Sequence, residues 1–171
     1  MKNAEKGCRL TVPYPVPHRP VHPPTTQTVY RLRRAAAGPG GAMTVLCRSL
    51  QRAAVCRERG EDALAELLEA GAQTALDHLA LLCRMLLCCG ASPAFFVPQG
   101  GHKIWWSAVQ TGECRKEDIT IELLLQETLA DCAACRALAG TLPPGLAPCA
   151  ERMLADHLHR ADRLRELLLG G

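Results

Sequence analysis

Aromatic residues are scarce in this 171-residue chain, at 4% of positions, and that scarcity disfavours an extended sheet, whose surfaces are usually filled by aromatic and β-branched side chains. Leu and Ala are abundant instead, and both are strong helix formers. Charge of one sign is also lacking. Twenty Lys and Arg stand against seventeen Asp and Glu, a net charge of +3, with both signs interleaved along the chain. No nucleic-acid footprint of clustered cations is therefore present. Most of the cations are arginine, scattered in a pattern suited to solvation and local ion pairs.

No uninterrupted apolar run is long enough for a membrane span. The longest candidate, from Leu79 to Val97, is broken by Arg84, Gly90 and Pro93. The opening Met-Lys-Asn-Ala-Glu-Lys-Gly-Cys has charge but no apolar segment behind it, so no secretory signal is read there. A cytoplasmic location is the expectation. In that compartment the ten cysteines are expected to be reduced thiols packed as small hydrophobes. Cys132-x-x-Cys135 puts two thiols on one helical turn. Zinc would need two more ligands, with Cys83, Cys88, Cys89 and Cys149 the nearest candidates, and structural packing is the preferred reading. Gly-rich phosphate loops, nucleophile elbows and zinc-protease motifs are absent.

What is present divides the chain in two. Residues 1–34 form a Pro-rich extended arm, and residues 35–171 a helical domain large enough for one core. Pro13, Pro15, Pro17, Pro20, Pro23 and Pro24 oppose helix in the arm, which is expected to lie as a strap along the domain through Tyr14, Val16, Val21 and Tyr30. His18 and His22 are candidate metal ligands, but the prolines around them oppose a fixed geometry. Arg31, Arg33 and Arg34 read as a solvated face.

Beyond the arm, four helices are expected. Gly38-Pro39-Gly40-Gly41 disfavours helix, so the first begins near Ala42, with Met43, Leu46, Leu50 and Ala53/Ala54 inward, and ends by Gly60. The second runs from Glu61 to about Cys89 and carries Leu64, Leu68, Ala75, His78, Leu79, Leu82 and Leu86 on one face, with a stop at Gly90. His78 stands in the middle of this apolar stripe. The third spans Lys116 to Ala139, with Ile119, Leu123, Glu127, Ala130, Ala134 and Leu138 inward. The fourth starts at Pro143-Pro144 and buries Leu146, Met153, His157, Leu164 and Leu168. Short links join the first to the second and the third to the fourth. A long crossover between helices 2 and 3 carries Trp105 and Trp106, expected to cover the helices.

The crossover segment Gly100-Gly101-His102-Lys103-Ile104-Trp105-Trp106-Ser107-Ala108 resembles that of small bacterial ferritin-like proteins related to rubrerythrins and manganese catalases. Asp77-His78-Leu79 is similar to the family's His-His-Leu, Leu154-Ala155-Asp156 to the segment ahead of its last metal motif, and Ala42-Met43-Thr44 to its Glu-Leu-Thr. The resemblance implies an all-α fold: a ferritin-like four-helix bundle with a long crossover between helices 2 and 3 and a Pro-rich N-terminal arm.

It also implies a two-metal site built from one Glu on each of two helices and a Glu-x-x-His on each of the other two. Carried over residue by residue, those six positions fall on Ala42, Ala75, His78, Glu127, His157 and Arg160. Only His78, Glu127 and His157 keep a side chain able to bind a metal, and Arg160 brings a permanent cation. A second register, Asp156-x-x-His159, turns that pair away from the Met153/Leu164 stripe. The first expectation is therefore a non-catalytic structural or interaction protein without a cofactor, in which Glu127 pairs with Arg160 or His157. It would be a homo-oligomer or act on a protein partner, with neither nucleic acid nor membrane involved. The alternative is one Fe or Mn ion held by His78, Glu127 and His157, serving an oxidoreductase or metal carrier.

Overall fold

A computed structural model describes residues 10, 12–112, 114 and 119–170, and these form an all-α chain with one small β-hairpin. Helix α1 covers Thr26–Ala37, α2 Ala42–Glu58, α3 Asp62–Cys88, α4 Ile121–Ala139 and α5 Ala147–Gly170. The strands are β1, Phe96–Gln99, and β2, His102–Trp105. Helix α2 packs along α3 and α4 along α5, while α3 meets α5 and α1 lies across α3.

Helix α1 overturns part of the expected arm. The last proline before it is Pro24, and a proline restricts only itself and its predecessor. Thr25 then caps the new helix, its side chain accepting from the Thr28 N–H at 3.1 Å. Gly38 closes it, donating its N–H to Arg34 O at 2.8 Å, ahead of Pro39. The remaining arm does lie as a strap. Arg152 donates to Val12 O and Leu10 O, Cys88 and Cys149 donate their thiols to Pro17 O and Pro15 O, and His18 N–H reaches Gly145 O. Val16 and Val21 remain exposed, so Tyr14 is the arm's main anchor.

Helix α3 matches its expected stripe, with Leu64, Leu68, Ala75, His78, Leu79, Leu82 and Leu86 all buried. It ends where Gly90, at φ +70°, leaves the helix and Ala91 N–H returns to Leu86 O at 2.9 Å. Two neighbouring helices are rotated from expectation. Helix α2 buries Thr44, Ser49, Ala53 and Cys56 and leaves Leu50 exposed. Helix α4 buries Leu124, Thr128, Cys132, Cys135 and Leu138, while Leu123, Ala130 and Ala134 turn outward or to the boundary. Leucines line more than one side of α4, so apolarity alone did not select its inner face. The buried Thr128 hydroxyl is satisfied by Leu124 O at 2.8 Å, which makes its inward position affordable. The Lys116 start expected for this helix lies outside the described residues, and Thr120 caps the observed one. Pro143 and Pro144 occupy the turn before α5 rather than its first residues. Leu146, in the turn before α5, and Met153, His157 and Leu164 on α5 are buried as expected, whereas Leu168 is exposed.

The crossover contains the hairpin that sequence periodicity did not reveal. Gly100 and Gly101, at φ +56° and +81°, make the two-residue turn that joins Gln99 to His102. Trp106 docks its indole Nε1–H on Thr44 Oγ1 at 3.0 Å, but Trp105 is 59% exposed, its ring tilted against Phe96. One indole therefore covers the helices and the other does not.

The apolar core has two parts. One is built around Leu81, Leu82, Met85, Leu86, Leu146 and Met153. The second is built around Leu64, Leu68, Ile119, Leu124 and Leu164. Between them, at the height of Gly71 to His78 on α3, lies a layer of polar side chains.

Candidate functional site

That layer is organised by Asp156, a residue with 1% of its surface exposed. His78 Nε2 lies 3.0 Å from Asp156 Oδ2, and Tyr14 Oη donates to the same oxygen at 2.7 Å. Arg152, one turn earlier on α5, is in ion-pair contact with Oδ1 and also holds its guanidinium carbon 4.6 Å above the Tyr14 ring. Burial pushes the Asp156 carboxyl up, but hydrogen bonds from His78, Arg152 and Tyr14 outweigh it and hold the group at about 2. Burial, and then the adjacent carboxylate, push the Tyr14 phenol well above its usual range. An ionised Asp156 only accepts, so His78 Nε2 carries the proton between them. The arm, α3 and α5 are thus tied together by one carboxylate.

His78 and His157 face each other, their ring centroids 5.1 Å apart. Burial, the nearby His78 and Arg160 push the His157 imidazole down to about 3, so it is neutral across the physiological range. Its Nδ1 is 4.0 Å from Asp131 Oδ2 on α4. Burial pushes the Asp131 carboxyl up to about 6.

Glu127 is not brought to the two histidines. Its carboxylate is gripped by α2: Arg52 bonds both oxygens, with Nη2 3.0 Å from Oε1, and Arg48 adds a longer contact at 3.5 Å. Burial pushes this carboxyl up, but Arg52, Arg48 and Arg160 together hold it below its usual range. The expected pairing of Glu127 with Arg160 or His157 is therefore corrected, because α2 presents a bidentate guanidinium that sequence spacing could not place. Arg160 instead lies across Gly71, where a Cβ would come within 3.0 Å of its guanidinium carbon. Arg33, expected on a solvated face, is buried over the Phe96 ring and donates to Ala94 O at 2.8 Å.

Three adjoining cavities surround the layer. The largest, about 470 Å³, is lined in part by Ala42, Ala75, His78, Asp131, Met153 and His157. Its neighbours hold Glu127 with Arg160, and Arg160 with Ala75 and His157. These side chains do not form a metal-binding set. Ala42 and Ala75 have no donor atoms, and the oxygens of Glu127 and Asp156 are already engaged by cations and hydroxyl or imidazole protons. Among the described residues no three His, Cys, Asp or Glu side chains are grouped to hold an ion.

The nine described cysteines are all free thiols; Cys8 lies outside the described residues. Burial and then Asp131 push the Cys135 thiol up to about 12, which makes it a poor nucleophile. Asp156 is the residue that sequence reasoning undervalued. The signal was Arg152 four residues before it, a spacing that pairs opposite charges on one helix face. No helix among the described residues is long and apolar enough to cross a membrane. No protein-family model, curated protein or solved structure matches the chain.

The titrating groups set an acid-stability profile. Asp156, depressed in the fold, contributes stability that is present above roughly pH 4 and lost as pH falls through about 2. His157, also depressed, loses stability as pH falls from roughly 6.5 toward 3, because only the unfolded chain takes up the proton. Asp131 is raised, so its contribution is complete below roughly pH 4 and lost as pH rises through about 6. His157 and Asp131 oppose each other between those values. Urea midpoints should therefore change little from pH 6 to 4 and fall steeply below 4. In Asp131→Asn the decline should already begin near pH 6.

Proposed function

We propose that this chain is a ferritin-like four-helix bundle whose two-metal carboxylate site has been replaced by protein–protein hydrogen bonds and ion pairs, and that it acts as a structural or interaction protein rather than a redox catalyst. One observation carries the reading. The six positions that the family resemblance assigns to metal ligands, Ala42, Ala75, His78, Glu127, His157 and Arg160, all line the same three adjoining cavities. That shared lining supports the register in which the resemblance carries the positions over. Short links within each helical hairpin and a long crossover between α3 and α4 support the same reading.

The substitutions explain one another physically. Two alanines remove carboxylates, and a buried arginine occupies space near a former ligand position. The remaining acids need cationic or protonated partners, since a buried unpaired carboxylate is costly. Arg52 supplies one for Glu127, and His78, Tyr14 and Arg152 supply them for Asp156. Untagged protein purified without chelator should contain iron, manganese and zinc far below one atom per chain by elemental mass spectrometry. Stoichiometric iron or manganese that disappears in both His78→Ala and His157→Ala would instead establish the mononuclear site.

A further inference from the structure

The largest of the three cavities around the polar layer holds two features that the metal positions do not account for. It is lined mainly by apolar side chains, among them Ala42, Val45, Ala75, Leu138 and Met153, and its volume of about 470 Å³ falls within the roughly 300–1,000 Å³ of small-molecule sites. It also carries Arg31 and Arg34, one turn apart on α1 and so on the same helix face. Neither guanidinium has a carboxylate partner among the described residues. Arg33 between them is turned inward and engaged by Ala94 O and the Phe96 ring.

The depth of the lining orients the cavity. Arg34, Pro39, Gly40, Ala134, Ala137 and Thr141 are exposed and mark the mouth. Ala75, His78, Met153 and His157 are buried and form the floor. An occupant would meet apolar surface below and fixed positive charge near the opening. Guanidinium groups suit a planar carboxylate, which they can bond through two parallel N–H donors. The floor opposes a second charge, because His157 is uncharged there and His78 is committed to Asp156. Asp131 is the one acid in the lining, and it lies beside His157 on α4.

We infer that this cavity binds a small amphiphilic monocarboxylate, its apolar body inserted toward Met153 and Ala75 and its carboxylate held by Arg31 and Arg34. The inference concerns the cavity and its rim and does not depend on the ancestry of the metal positions. Binding would add no new buried charge without a partner, and it would remove apolar wall from water.

The test is calorimetric titration of the full chain with decanoate below its micelle-forming concentration, with decanol and decylamine as the neutral and cationic counterparts. Decanoate should bind one per chain, at least tenfold more tightly than decanol, and decylamine should bind weakest. Arg31→Ala/Arg34→Ala should weaken decanoate at least tenfold and leave decanol within about twofold. Both arginines have exposed or half-exposed side chains, and circular dichroism should report an unchanged fold. Ala134→Phe, a substitution at the exposed rim, should weaken both ligands. Equal binding of the acid and the alcohol, or an unchanged decanoate affinity in the double variant, would overturn the carboxylate assignment. No binding of any probe would overturn the cavity as a ligand site.

Discussion

Asp156→Asn should lower stability by about 3–5 kcal/mol, the usual cost of breaking a buried, hydrogen-bonded charge pair by removing one partner. The carboxylate is hydrogen-bonded to His78 and Tyr14 and ion-paired with Arg152, and it is almost wholly buried. An amide keeps the shape but offers one oxygen acceptor and turns N–H donors toward groups that also donate. Arg152 would then be a buried cation without its carboxylate. For a chain of this length, the loss corresponds to a fall in melting temperature on the order of 10 °C. Tyr14→Phe, which removes only one neutral donor, should cost about 1 kcal/mol and release the arm from Asp156. Chemical denaturation should separate the two variants clearly. If Asp156→Asn melts within a degree or two of the parent, the carboxylate does not organise this layer.

The second large effect is expected at Arg52. Its guanidinium bonds both oxygens of Glu127, while Arg48 supplies only the longer contact to Oε1. Glu127 is about one-third exposed, so water partly compensates a lost partner and the cost is below that of a fully buried pair. Arg52→Ala should therefore destabilise by about 1–3 kcal/mol, and Arg48→Ala by less than 1 kcal/mol. The Arg52→Ala/Glu127→Gln double variant should recover part of the loss, since the stranded charge is gone. Equal effects of Arg48→Ala and Arg52→Ala in urea titrations would contradict the bidentate geometry.

Much of the architecture was legible because its signals are local. The stripe of α3, the Gly90 stop, the break before Ala42 and the Pro-rich strap each depend on a few neighbouring residues. Helix α1 was hidden by extending the influence of Pro23 and Pro24 beyond the residues they touch. The inner faces of α2 and α4 were found only in part, at Ala53 and Leu138, because both helices also bury polar or sulfur-bearing side chains, Thr44, Ser49, Thr128, Cys132 and Cys135, that a hydrophobic pattern leaves aside. The candidate site was legible only in part. His78 and His157 were expected inward and do meet, but their partners come from the arm, α4 and α5 through contacts distant in sequence. Nothing near Glu127 in the chain announces Arg52, and nothing near Asp156 announces Tyr14.

The central claim is that protein side chains, not an ion, hold the polar layer together. Its most direct measurement is the melting temperature of untagged protein before and after exhaustive chelation, followed by addition of Mn(II) and anaerobic Fe(II). The four melting curves should coincide, while Asp156→Asn melts far below all of them. A chelated protein that melts several degrees lower, and recovers on adding either metal, would contradict the claim.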